Sequence, residues 1–156
     1  MATILRFNQF TPAAQGTLQE NFLDAPESDE YGKRIMYRAG DYLISVDSPV
    51  DAAYLVLWYK GKNVGMLSLS SHHFEGAPYR RVRATEIKPA HRGMGFGFKL
   101  YQLAMRTMSP AYAGIVSYLP ERTNKKQVPR IYQKLGGHLA GADYAIIPNP
   151  GYVQTT

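Results

Sequence analysis

Three glycines at alternate positions, Gly93, Gly95 and Gly97, close the stretch EIKPAHRGMGFG from Glu86 to Gly97, between a run that reads as a strand and one that reads as a helix. No other feature limits the fold of this chain as much. A strand turning this tightly into a helix belongs to an α/β or α+β unit, and glycines let successive backbone N–H groups converge where a Cβ would stand in the way. The positive end of the following helix dipole points at the same spot, so the amides from Arg92 to Gly97 form a cradle for a diphosphate. Taken alone, a Gly-x-Gly-x-Gly turn is equally well a close strand-to-helix packing point. The Gly-Lys-Ser/Thr ending of a nucleotide-triphosphatase loop is absent, and the pattern comes too late in the chain for a dinucleotide-binding first turn.

The sequence on either side supplies the elements. Asp41–Asp47 and Ala53–Tyr59 are rich in Tyr, Val, Leu and Ile, and Lys60-Gly61-Lys62-Asn63 joins the second to Val64–Ser70 as a hairpin does. Tyr79–Ile87 reads as a further strand, stopped at Pro89. From Gly95 to about Met108 the spacing is helical, with Lys99, Gln102 and Arg106 on a polar face and Phe96, Leu100, Leu103 and Ala104 on an apolar one. Ala113–Leu119 reads as a strand. Val128, Ile131, Tyr132 and Leu135 repeat at helical spacing up to the stop Gly136-Gly137, Pro129 delaying that helix to near Gln127, and Tyr144–Ile147 closes the pattern. Upstream, Thr3–Phe7 reads as a strand, Thr11-Pro12 to about Leu23 as a helix, Asp24–Glu30 as an exposed acidic loop, and Lys33–Tyr37 as a short helix.

With 156 residues, 45% of them hydrophobic and 19% charged, the chain is expected to form one domain, residues 1–156, with its own core. The absence of cysteine excludes disulfides, thiolate metal sites and a covalent cysteinyl intermediate. The first ten residues lack the pattern of a secretory signal and no apolar run is long enough to span a bilayer, which points to a cytoplasmic protein. Lys plus Arg exceed Asp plus Glu by 18 − 12 = 6, which favours anionic partners. The basic residues sit in short groups, Arg80-Arg81-Val82-Arg83 and Lys125-Lys126, a distribution that suits a local phosphate site better than a nucleic-acid tail.

The run Ile87-x-Pro89-x-x-Arg92-Gly93-x-Gly95-x-Gly97 resembles the acetyl-coenzyme A (acetyl-CoA) loop of the GNAT N-acetyltransferases. About forty residues on, Ile131-Tyr132-Gln133-Lys134-Leu135-Gly136-Gly137 resembles that family's second signature. The resemblance implies a mixed, mainly antiparallel sheet splayed at its centre with helices on both faces, acetyl-CoA as co-substrate, and its pantetheine arm wedged between Tyr79–Ile87 and Ala113–Leu119. It covers an acetyl-CoA-binding core at residues 53–147; residues 1–50 fall in the variable region that shapes the acceptor site.

For cofactor binding the resemblance points to the backbone at Ile87 and Lys88, the loop Arg92, Gly93, Met94, Gly95, Phe96 and Gly97, and Asn124 against the pantetheine arm. Lys125 or Lys126 would meet the adenosine 3′-phosphate. Asn124 departs from the pattern, its spacing to Tyr132 being one residue longer than the family's. Tyr132 falls where the family places the tyrosine that protonates the leaving sulfur, and an ordinary phenol is neutral at pH 7. Glu86 is the nearest carboxylate and the candidate base, with His72, His73 and Glu75 as substitutes; its plainer reading is a charged strand residue paired with Arg83 or Lys88. The expected reaction is direct acetyl transfer from acetyl-CoA to a primary amine, on a protein lysine, an N-terminus or a polyamine, with Asp24, Glu27, Asp29 and Glu30 drawing in the cation. The basic pI near 9.5 and twelve tyrosines also fit a nucleic-acid binder or modifier on the same fold, and a scaffold that binds coenzyme A without catalysis is a third reading. A homodimer is compatible with the sequence.

Overall fold

The computed structural model describes residues 20–28, 32–119 and 128–154, and for residues 20–27 the backbone alone. Its strands are β1 (Glu20–Ser28), β2 (Arg34–Ala39), β3 (Tyr42–Val46), β4 (Tyr54–Tyr59), β5 (Lys62–Phe74), β6 (Ala77–Ile87), β7 (Gly114–Tyr118), β8 (His138–Ala140) and β9 (Tyr144–Pro148). Two α-helices accompany them among the described residues, α1 (Phe96–Thr107) and α2 (Arg130–Lys134), with a 3-10 turn at Pro89–His91.

Turn chemistry sets the meander. Lys60 and Gly61 both take positive φ between β4 and β5, as do Glu75 and Gly76 between β5 and β6, the two-residue turn whose twist matches that of the flanking strands. The strands therefore line up in sequence from β1 to β6, followed by β7, β9 and β8 in one nine-stranded sheet. Neighbours are antiparallel except β6 and β7, which run parallel across the α1 crossover. The sheet is mixed and mainly antiparallel, as expected.

α1 packs its Leu100, Leu103 and Ala104 onto the face of the sheet carrying Leu55, Leu57, Leu67, Leu69 and Ile115, and these residues form the main core. At roughly 25 cal/mol per Å² of apolar surface, each such leucine contributes about 2 kcal/mol on burial. Arg80 staples the closed end of the sheet from within: Nη2 donates to the carbonyls of Asp51 and Ala52 at 3.2 Å each, and Nη1 donates to Ser71 Oγ at 3.2 Å.

Several expectations are corrected. Glu20–Leu23 and Asp24–Ser28 are strand, not helix end and loop, and Lys33–Tyr37 is not a helix because Arg34–Ala39 forms β2. A register shift at Met36 explains the misreading, since Ile35 faces Ser45 while Tyr37 faces Ile44, so Ile35, Met36 and Tyr37 are all buried and the period of two is lost. Lys99 and Gln102 do not form a solvent face, being 9% and 3% exposed; the Lys99 ammonium lies 5.8 Å from the Tyr37 ring centre, its stem laid along apolar surface. β8 was not anticipated, and α2 begins at Arg130, three residues later than read. Thr3–Phe7 lies outside the described residues.

Candidate functional site

β6 and β7 are paired at only two positions, Arg80 with Ile115 and Arg81 with Val116. Past them β6 bends away. On its other side β5 passes from a Ser68–Ala84 pair to a Leu69–Val82 pair, leaving Arg83 as an extra residue, and such a bulge bends the strand that carries it. The second half of β6, from Arg83 to Glu86, is exposed as a result.

The parting opens a cleft of about 830 Å³ bordered by β6, β7, the start of α1 and α2. Register decides which backbone groups face it. Gly65 pairs with Ile87 while the Lys88 amide donates to the Val64 carbonyl at 2.8 Å, so Gly65–Ile87 is a non-hydrogen-bonded pair. The N–H and C=O of Ile87, and by the same alternation those of Thr85, therefore point away from β5 and into the cleft. They are arranged to pair with an extended, amide-bearing arm as a strand would. The Lys88 amide is spent on β5, which removes that residue as a backbone contact. The Ile87 carbonyl accepts a bond from Arg92 Nε at 2.7 Å, so the Arg92 side chain is tethered at the cleft edge.

The glycine turn forms one end of the cleft. Gly93 and Gly95 take φ of 79° and 84°, the left-handed region, with open space where a Cβ would stand; they are required by conformation, not by crowding. Gly97 has a different reason: a Cβ there would meet Ile131 Cδ1 of α2 at 3.2 Å. The Arg92 amide turns back to the Pro89 carbonyl at 3.3 Å, whereas the amides of Gly93, Met94, Gly95, Phe96 and Gly97 find no acceptor among the described residues. Gly95 caps α1 without a side-chain bond, so the free N–H groups and the positive helix end coincide. Phe96 enters only through its backbone, its ring being 2% exposed in the core, and Met94 is exposed.

At the other end stands Tyr132, carried into the sheet by α2. The glycine stop holds that short helix: Gly137 donates to the Tyr132 carbonyl at 2.7 Å, and a Cβ on Gly137 would lie 2.8 Å from that same oxygen. No side chain fits there. The Tyr132 ring is 3% exposed and meets Tyr101 edge to face, centroids 5.4 Å apart. Its hydroxyl has Ser117 and Tyr101 as polar neighbours, yet neither reaches it in hydrogen-bonding geometry, and the buried oxygen has no partner among the described residues. Burial, with Tyr101 beside it, pushes the phenol far above its ordinary value, and Tyr101 is raised for the same first reason. Both stay neutral.

Glu86 borders the cleft from the other side of the sheet. Its pairing with Met66, one residue out of phase with Thr85 and Ile87, puts its exposed carboxylate on the face away from α1. Among the described residues it has no ion pair, so the expected partnership with Arg83 or Lys88 is not formed. His72 and His73 pair with Tyr79 and Pro78, seven to eight residues along β5 from Gly65, on the order of 25 Å from Ile87 at a strand's rise, which removes them and the neighbouring Glu75 as substitute bases. Asn124, Lys125 and Lys126, like Asp29 and Glu30, lie outside the described residues. Thr85, Tyr101 and Ser117, which the sequence reading missed, line the cleft; only their periodicity marks them, as core-facing positions. No group of residues among those described is arranged to hold a metal, and none of their helices is long and apolar enough to cross a membrane.

The family model for the acetyltransferase (GNAT) family matches residues 15–136. The chain belongs to that family. It is an acetyl-CoA-dependent acyltransferase. No curated protein matches the sequence. Among solved structures, a tyrosine-to-phenylalanine mutant of the toxin AtaT, bound to the C-terminus of the antitoxin AtaR, matches with a TM-score of 0.50 and 17% identity over 62% of this chain and 65% of that one. Nourseothricin acetyltransferase matches at 16% identity over 91% of this chain and 94% of that one, with a TM-score of 0.46. Naa50 from Arabidopsis thaliana, in complex with a bisubstrate analogue, matches at 16% identity over 61% and 71%, with a TM-score of 0.42. At 17% identity the likeness to the AtaT structure is one of fold alone.

Proposed function

We propose that this GNAT protein transfers the acetyl group of acetyl-CoA directly to a primary amine, with Tyr132 as the acid and Glu86 as the base. The observation that carries the reading is the Tyr132 hydroxyl, a buried phenol beside Ser117 and Tyr101 that has no hydrogen-bond partner among the described residues, in a cleft whose opposite wall offers the inward amide of Ile87. An unpaired buried hydroxyl costs about 1–3 kcal/mol. A ligand atom that accepts its hydrogen bond recovers that cost.

In this reading the amides of Gly93–Gly97 hold the diphosphate, Arg92 adds charge at the same end, and the backbone of Thr85 and Ile87 pairs with the pantetheine amides. The acceptor approaches from the face where Glu86 stands. Glu86 takes one proton from the acceptor ammonium. The freed nitrogen attacks the thioester carbonyl carbon while the Ile87 N–H donates to the oxygen on which negative charge gathers, and the nitrogen's second proton passes to solvent as the intermediate collapses. The C–S bond then breaks and the thiolate is met by the Tyr132 hydroxyl. Burial holds the phenol in its neutral form, so it meets the thiolate with a charge-assisted hydrogen bond; as the proton passes to sulfur and the thiol leaves, the tyrosinate takes a proton back from solvent.

The acceptor in this reading is a primary amine: a protein lysine, an N-terminus or a small polyamine. The test has two arms. Acetyl-CoA should raise the melting temperature where ATP at the same concentration does not, since a ligand at a hundred times its Kd adds about 2.7 kcal/mol. With a panel of amines, at least one should release free coenzyme A thiol in step with acetylated product; thiol release independent of every amine would overturn transfer to an amine.

A further inference from the structure

A loop holding three glycines in five residues has little stiffness of its own, because each glycine opens conformations closed to other residues. Its shape has to be imposed from beneath. The residue beneath it is Tyr42 at the start of β3, in the part of the chain read as the variable acceptor side. Tyr42 is 9% exposed, and its ring and hydroxyl touch three side chains of the turn. The ring lies against Phe96 with centroids 4.3 Å apart, the hydroxyl meets His91 Nδ1 at 2.7 Å, and it reaches Met94 Sδ at 3.6 Å. Tyr59 packs behind, 4.6 Å from Tyr42 and 5.1 Å from the His91 ring.

The hydroxyl owns one proton, which fixes how both polar contacts coexist. With its proton on Nδ1, His91 donates to the Tyr42 oxygen, and Tyr42 donates onward to Met94 Sδ. His91, Met94 and Phe96 alternate with the positions that must bend, so one phenol pins the turn before, between and after its first two glycines. Burial and the neighbouring Tyr59 push the Tyr42 phenol above its ordinary value, and it keeps its proton under working conditions.

We propose that Tyr42 is a positioning residue for the diphosphate-binding turn, setting through His91, Met94 and Phe96 the directions in which the amides of Gly93–Gly97 point. The proposal rests on the reading that these amides hold the diphosphate of acetyl-CoA. Tyr42 touches no substrate; it acts through the loop.

The experiment compares acetyl-CoA with S-acetylpantetheine, which carries the same thioester and arm without the diphosphate and nucleotide. Wild-type enzyme should prefer acetyl-CoA in kcat/KM by tenfold or more, roughly the difference one to two charge-assisted hydrogen bonds make. Tyr42→Phe keeps the ring against Phe96 and Tyr59 and deletes only the relay. It should lower kcat/KM for acetyl-CoA about fivefold, almost all of it through KM for acetyl-CoA, while S-acetylpantetheine is used as well as before. In a His91→Ala background, itself impaired in the same direction, Tyr42→Phe should add less than twofold.

Equal losses on both donors would make Tyr42 a merely structural residue and overturn the proposal, as would an unchanged preference in Tyr42→Phe or full additivity with His91→Ala. A wild type indifferent to the diphosphate would instead remove the reading of the loop itself. The two failures are thereby told apart.

Discussion

Tyr101 and Tyr132 meet edge to face across the inner end of the cleft, ring centroids 5.4 Å apart, one from α1 and the other from α2. The contact fixes where the Tyr132 hydroxyl points and leaves it without a bonding partner among the described residues. Packing and chemistry are therefore separable at this residue. Tyr132→Phe keeps the ring contact and is expected to leave the melting temperature unchanged or slightly raised, because a buried, unpaired hydroxyl is removed. kcat should fall about 100-fold, with KM for acetyl-CoA within about twofold. Steady-state kinetics beside a thermal melt measure both; a Tyr132→Phe enzyme with wild-type kcat would return the acid to solvent.

Glu86 stands on the opposite face, exposed and without an ion pair among the described residues, so its replacement disturbs little structure. Glu86→Gln should alter stability by less than about 0.5 kcal/mol. The same change should cost on the order of 100-fold in kcat at neutral pH if the carboxylate takes the amine's proton. Raising the pH until the amine is already deprotonated should recover much of that loss. A pH–rate profile parallel to wild type, merely lower, would remove Glu86 as base.

Gly97 separates two demands on one position. In the first turn of α1, alanine is favoured over glycine by about 1 kcal/mol, while its Cβ would press on Ile131 Cδ1 at 3.2 Å, the movable end of a side chain. Gly97→Ala is expected to be neutral or mildly stabilising in a denaturant melt. It should nevertheless raise KM for acetyl-CoA severalfold, because the added methyl narrows the cleft. Gly95→Ala, at φ 84°, should instead lose about 1 kcal/mol or more of stability.

Four tyrosines, Tyr42, Tyr79, Tyr101 and Tyr132, have phenols raised above the ordinary 10.0, in each case first by burial. Below pH 10 folded and unfolded chains carry the same phenolic protons and stability is untouched. Above it the unfolded chain loses them while the folded one keeps them, so stability falls with rising pH, by about 1.4 kcal/mol per pH unit for each fully shifted group. Denaturant melts from pH 9 to 11.5 should show the decline. Tyr132→Phe should make it shallower; an unchanged slope would mean that Tyr132 ionises in the folded state.

The sequence told most where local rules act alone. The hairpin at Lys60-Gly61, the strand before the glycine turn, α1 and the stop after α2 all rest on turn chemistry or simple periodicity. β2 was misread because the shift at Met36 hides its alternation, and a bulge is a property of two strands together. At the site, Tyr132 and the glycines stood out by motif. Which amide of β6 turns inward depends on register with β5, and the grip of Tyr42 on His91 spans 49 residues, so neither leaves a mark in local sequence. Gln102 is buried with its Oε1 unpaired among the described residues, and nothing in the structure explains it.

Among the described residues, Arg80 with Ile115 and Arg81 with Val116 are the only ladder pairs between β6 and β7, extended by the Ala113 amide donating to the Pro78 carbonyl just before them. If the pantetheine arm pairs with Thr85 and Ile87 as proposed, so short a ladder makes the acetyl donor a temporary strand of the protein, lending rungs for as long as it stays. Each departure of coenzyme A would take those rungs away, and the enzyme's cohesion would then rise and fall once per turnover.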